Sequence, residues 1–115
     1  MAIQPIEATV RSHAGAAVID LTGEIDASGE SALNAAYASA IAGKPALVML
    51  NFTNVTYMNS TGIALIVGLL AQARKQKRRL VTFGLSDHYR EIFEITRLSD
   101  FMTLYTSEQA ALAGE

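Results

Sequence analysis

The sequence predicts an α/β domain, with a mixed, mostly parallel sheet of four to five strands and about four helices in the order ββαβαβαβα. Three observations carry this expectation. Short apolar runs alternate with longer segments whose apolar residues recur at helical spacing. An early glycine-containing turn joins two strand-like runs, so the chain opens with an antiparallel pair. The later strands are each separated by a helix, which implies parallel pairing through right-handed crossovers. At 115 residues, half of them hydrophobic, the chain can bury one core, and residues 1–115 are expected to form a single domain.

Glu7–Arg11 and Ala16–Leu21 read as the first two strands, with His13-Ala14-Gly15 as the hairpin turn between them. Thr22–Asp26 reads as a loop, and Ser28 as the cap of a helix reaching about Ala42. Leu33, Ala36, Tyr37, Ala40 and Ile41 form that helix's apolar stripe, and Gly43 and Pro45 end it. Ala46–Phe52 is a continuous apolar run, as expected of a strand covered on both faces. A polar loop, Thr53–Asn59, leads to a second helix from about Ser60 to Lys77. Arg79–Gly84 is the next strand, Ser86-Asp87 caps a helix over His88–Ile95, Met102–Tyr105 is the last strand, and Ser107 caps a final helix ending at Ala113.

Composition excludes several functions. The net charge of −2 is far from that of a general nucleic-acid binder. The basic run Arg74–Arg79 reads as a solvated helix end that complements the helix dipole, without a base-reading motif beside it. With no cysteine there is no disulfide framework, thiol nucleophile or Cys-based metal site. Met1–Pro5 lacks the features of a signal peptide, and the longest apolar run, Ile63–Ala71, is about half of the roughly 20 residues a membrane span needs. A cytoplasmic protein without direct membrane insertion, cofactor or metal is expected. An enzyme is not: His13 and His88 fall near turns with nothing to bring them to a nucleophile, and Asp20, Glu24 and Asp26 read as strand and loop acids.

The most informative segment is Val48–Leu70. Ser60-Thr61-Gly62 opens an unusually apolar helix, where backbone N–H groups lack partners and the helix dipole is positive. A hydroxyl there serves either as a plain N-cap or as a phosphoryl acceptor, and spacing alone does not separate the two. Along this helix Ile63, Ile66, Val67 and Leu70 read as the stripe facing the sheet. Ala64, Leu65, Gly68, Leu69 and Gln72 form the other side, to be covered by a neighbouring helix or by a partner beside Ser60.

The stretch Leu50–Ile63, LNFTNVTYMNSTGI, resembles the signature of the STAS domain, the sulfate-transporter and anti-sigma factor antagonist family. Leu21–Asp26 resembles that family's Leu-x-Gly-x-Leu-Asp loop, Leu80–Gly84 the strand before its third helix, and Glu108–Leu112 its closing helix. Asn51 and Asn59 stand where the family usually has Asp. The resemblance implies a stand-alone antagonist that binds an anti-sigma factor with serine kinase activity, with a cognate phosphatase and a weak homodimer as further associations. It implies Ser60 as the phosphoacceptor, with Thr61 as fallback, and a partner surface of Glu24, Asp26, Asn59, Ser60, Thr61, Gly62, Ala64, Leu65 and Gly68. The alternatives are a permanently unphosphorylated scaffold subunit of a signalling assembly and an accessory regulator of a membrane transporter.

Overall fold

The computed structural model describes residues 5–114, so the reading of Met1–Gln4 lies outside the described residues. The strands are β1 (Glu7–His13), β2 (Ala16–Ile25), β3 (Leu47–Met58), β4 (Arg79–Phe83) and β5 (Leu104–Tyr105). The helices are α1 (Glu30–Ile41), α2 (Ser60–Lys75), α3 (Asp87–Ile95) and α4 (Glu108–Ala113), with short 3-10 turns at Ala27–Gly29 and Leu98–Asp100. The expected order ββαβαβαβα holds. The five strands lie side by side in sequence order, with β1 antiparallel to β2 and all other pairs parallel. Ala14 and Gly15 both take positive φ, 53° and 86°, which matches a tight two-residue hairpin turn to the right-handed strand twist.

Alternation along the strands divides the core between the two faces of the sheet. Ala17, Ile19, Leu21, Val48, Leu50, Phe52 and Leu80 point to one side, where α1, α2 and α3 cover them. Ala16, Val18, Met49, Val81, Phe83 and Tyr105 point to the other, where α4 covers them through Ala111. Tyr37, Phe52, Phe93, Ile66 and Leu69 are among the largest fully buried side chains, and the Phe52 and Phe93 rings meet edge to face at 6.1 Å.

Several boundaries differ from the sequence expectation. Thr22–Ile25 is strand and not loop, and β3 runs on through the expected polar loop to Met58. The two segments sustain each other: Thr22, Gly23, Glu24 and Ile25 pair with Asn54, Val55, Tyr57 and Met58 across two register shifts, one of them at Gly23, whose φ is 107°. Their polar residues face solvent while Leu21, Gly23, Ile25 and Met58 are buried, an alternation that composition alone disguises as a loop. Ser28 does not cap α1. It lies within a 3-10 turn, where its N–H donates to the Asp26 carboxylate at 2.9 Å, and α1 begins behind Gly29 with no side-chain cap. α2 ends at Lys75, and Lys77 takes φ 57° in the turn beyond it. β5 is only Leu104–Tyr105, because a 3-10 turn occupies the residues just before Met102. The caps at Ser86 and Ser107 form as expected, accepting from Tyr89 N–H and Ala110 N–H.

Candidate functional site

The turn from β3 into α2 is held by its backbone and by one amide side chain. Asn59 N–H donates to the Ile25 carbonyl at 3.3 Å, tying the turn to the end of β2. The Asn59 side-chain oxygen accepts from Gly62 N–H at 2.8 Å, and its carbonyl accepts from Ile63 N–H at 3.0 Å. Asn59 is therefore the N-cap, and Ser60 is the first helical residue. This corrects the reading of Ser60 as a plain cap: its hydroxyl is not consumed by capping. Ser60 and Thr61 are both exposed. Among the described residues their two N–H groups have no partner, so the positive end of the helix remains open beside the hydroxyl.

Gly62 is the residue that allows α2 to sit so close. A Cβ at that position would lie 2.0 Å from the Ile25 carbonyl oxygen, a backbone atom that cannot yield. From the other side Met58 N–H donates to the hydroxyl of buried Tyr89 at 2.9 Å. Tyr89 was not among the residues singled out from the sequence. The available signal was the Tyr89–Phe93 pair at helical spacing on α3, together with the need of a buried phenol for a hydrogen-bond partner.

On α2, Gly62, Ile66, Leu69, Leu70 and Ala73 are buried, with Ile63 and Leu65 half-buried. Val67 does not face the sheet as expected; it is 43% exposed, and Leu69 is buried in its stead. The buried set has i, i+3, i+4, i+7 spacing, which rotates the helix so that Ala64, Val67, Gly68 and Ala71 face outward in line with Ser60. Among the described residues no α-helix covers this strip, and only Val67 and Ala71 border the segment after α3. A Cβ at Gly68 would meet nothing within 4 Å. The structure thus places Ser60, Thr61, Ala64 and Gly68 on one open face, with Leu65 half-buried at its margin.

Glu24 and Asp26 lie at the end of β2, Glu24 paired in register with Tyr57, which is 47% exposed. The 3-10 turn after Asp26 packs against α2, bringing this acidic loop to the same end of the molecule as Ser60. Hydrogen bonds from the Ser28 hydroxyl and then from Ser28 N–H hold the Asp26 carboxyl below its usual range.

Asn51 is elsewhere. It faces the α4 side of the sheet, where its amide donates to Asp20 at 2.8 Å and its oxygen accepts from Thr53 N–H at 3.0 Å. Asp20 is also paired with Arg11 at 2.7 Å, and Arg11 reaches Glu108 of α4 at 2.7 Å. His13 also pairs with Glu108, and His88 rests edge-on to the Tyr89 ring.

A family model described as the STAS domain matches residues 7–111. The chain belongs to the STAS domain family. Within the family it is similar to the anti-sigma-B factor antagonist of Listeria monocytogenes serovar 1/2a, at 40% identity over 62 residues, 54% of each chain. It spans about half the length of the relatives it matches in this way. Among solved structures it superposes on an anti-sigma factor antagonist from Mycobacterium paratuberculosis with a TM-score of 0.82 at 23% identity, covering 95% of this chain and 92% of that one. It also superposes on the Bacillus cell fate determinant SpoIIAA in its phosphorylated form, with a TM-score of 0.70 at 24% identity, covering 94% and 99%. At these identities the structural likenesses establish the STAS fold alone. The relatives' names describe antagonists and not enzymes, in line with the sequence expectation. No helix among the described residues is long and apolar enough to cross a membrane.

Proposed function

We propose that this STAS protein is an anti-sigma factor antagonist-like binding module, acting as one domain over residues 1–115 in the cytoplasm and switched by phosphorylation of Ser60. The observation that carries the proposal is the exposed Ser60 hydroxyl at the first position of α2, free of capping duty, in line with an uncovered strip of small apolar residues. Two unpartnered N–H groups and the helix dipole stabilise an added phosphate, so the domain tolerates modification without refolding. A partner packed against Ala64 and Gly68 meets a dianion at the edge of its contact, beside Glu24 and Asp26. Desolvation and like-charge repulsion then release it. A partner of the anti-sigma factor kinase class, with a phosphatase to reset the switch, fits both the antagonist relatives and the phosphorylated structural neighbour. Thr61, one residue on and also exposed, is the secondary acceptor.

The test is intact-mass measurement after incubation with a candidate anti-sigma kinase and ATP. One added phosphate, absent in Ser60→Ala, is the expected result; no phosphate, or one that persists in Ser60→Ala, overturns the switch. Binding is tested separately. Gly68→Glu is expected to weaken the partner complex by about tenfold or more while leaving the fold within about 1 kcal/mol, since position 68 opens onto solvent. Equal loss of folding and binding contradicts this surface.

A second reading, an unphosphorylated scaffold subunit of a signalling assembly, is favoured by Asn59. Its neutral amide satisfies the cap completely and leaves no carboxylate beside the hydroxyl to orient it or to hold a cation. Size-exclusion mass measurement of material purified from the native cell separates the two, a large permanent assembly supporting the scaffold.

A further inference from the structure

The far end of α2 borders a feature that the antagonist reading does not use. A cleft of about 310 Å³ lies between α2 and the segment after α3, walled by Val67, Leu70, Ala71, Leu98 and Phe101 together with Arg74 and Arg97. A second hollow of about 180 Å³ adjoins it, shares Leu70, Arg74 and Phe101, and is lined by Arg78 and Arg79. One hollow is thus mainly apolar, and the other is lined by three arginines, of which Arg79 also reaches the Tyr105 hydroxyl at 3.5 Å. Phe101 is 57% exposed, and the Arg74 guanidinium lies over its ring at 5.2 Å. Arg78 Nε is buried without a hydrogen-bond partner, although another of its nitrogens donates to the Pro45 carbonyl at 3.3 Å. Among the described residues no carboxylate lines the arginine end, and Asp100, beside Phe101 in sequence, is paired with Arg97 at 3.0 Å.

We propose that this cleft binds a free, single-chain amphiphile with a carboxylate head, its head beside Arg74 and Arg78 and its chain along Leu70, Ala71 and Phe101. Charge fixes the orientation: guanidinium groups recognise a carboxylate through charge-assisted hydrogen bonds, and Arg74 and Arg78 line the same hollow. Shape fixes the class. An open, mainly apolar cleft with a few polar groups is the usual form of a small-molecule site, and about 310 Å³ is on the scale of one short chain. The Arg74–Phe101 stack borders both hollows. Val67 and Ala71 also lie on the outward face of α2, so the occupant would alter the surface proposed above for a protein partner.

The experiment titrates the whole chain with sodium decanoate below its micelle concentration at pH 7.5, by calorimetry and by amide chemical shifts. Expected is saturable one-to-one binding, with shifts centred on Leu70, Arg74, Phe101 and Thr103. Decyltrimethylammonium, which reverses the head charge, is expected not to saturate. Arg74→Glu is expected to weaken decanoate by about tenfold or more with the fold retained by circular dichroism, since Arg74 is exposed on the helix surface. Lys75→Glu makes the same charge change one residue outside the cleft and is expected to leave the affinity within about twofold. The proposal is overturned by the absence of saturable binding, by equal binding of the ammonium, by equal losses in the two variants, or by shifts confined to the Ser60 end. Sedimentation with phosphatidylglycerol vesicles in place of decanoate binding also overturns it, assigning the arginines to a membrane surface.

Discussion

Two glycines six residues apart on α2 have opposite roles, and substitution separates them. Gly62→Ala forces a methyl into the Ile25 carbonyl, so the end of α2 must lift from β2; a loss of about 3 kcal/mol in urea unfolding is expected. Gly68→Ala meets nothing and removes the entropic cost of a mid-helix glycine, so a gain of about 1 kcal/mol is expected. Tyr89→Phe tests the third support of the turn. It leaves the buried Met58 N–H without an acceptor, at an expected cost of about 1–3 kcal/mol, with thermal denaturation as the measurement. Asn51 and Asn59, the two positions where Asp is usual in the family, each have a local reason. Asn59 caps α2 as a neutral acceptor, a role an Asp could share. Asn51 donates to Asp20, which an Asp could not do. In Asn51→Asp two carboxylates would face each other and one would titrate upward, so stability would fall as pH rises from about 4 to 7; a loss of about 1–2 kcal/mol at pH 7 is expected by denaturant unfolding.

At the scale of elements, α4 shows how a short helix is retained. It is only six residues long and inserts one fully buried residue, Ala111, into its side of the core. Ala110 and Leu112 pack half-buried beside it, and charge adds to the attachment: Glu108 meets Arg11 and His13 on β1. Arg11, followed by His13, holds the Glu108 carboxyl down to about 2 from its ordinary 4.5, and Arg11 similarly lowers Asp20, assisted by Asn51. Because these folded-state values lie below the unfolded ones, their contribution is fully present above about pH 5 and is lost as pH falls toward 2. Acid titration followed by circular dichroism is expected to show destabilisation across that window, and Glu108→Gln to flatten it. β2 and β3 show the opposite case, long strands whose outer halves look like loop in composition. Periodicity in the apolar residues was legible; pairing between two polar segments distant in sequence was not, since each is strand only in the presence of the other.

For the whole molecule, the order of elements, the hairpin turn, two of the serine caps and the position of Ser60 were legible because each rests on local chemistry: turn residues, capping hydroxyls and helical spacing. The rotation of α2 was not legible, because Val67 and Leu69 are equally apolar and only the neighbours decide which is buried. Nor was the arginine cleft, which is made by residues from α2, the start of β4 and the segment after α3. The Arg74–Arg79 run reads as simple solvation until the fold stacks Arg74 on Phe101 and turns Arg78 inward.

The strand order has a consequence for synthesis. Because neighbours in the sheet are also consecutive in the chain, each strand leaving the ribosome finds its edge already built, and no later strand must be threaded between earlier ones. The seat for Ser60 follows this calendar. Its Ile25 contact becomes available as soon as β3 and the first turn of α2 emerge, whereas its Tyr89 support arrives only with α3. A growing chain therefore carries a loosely seated serine for some thirty residues of elongation, and the turn becomes rigid only when most of the domain has been made.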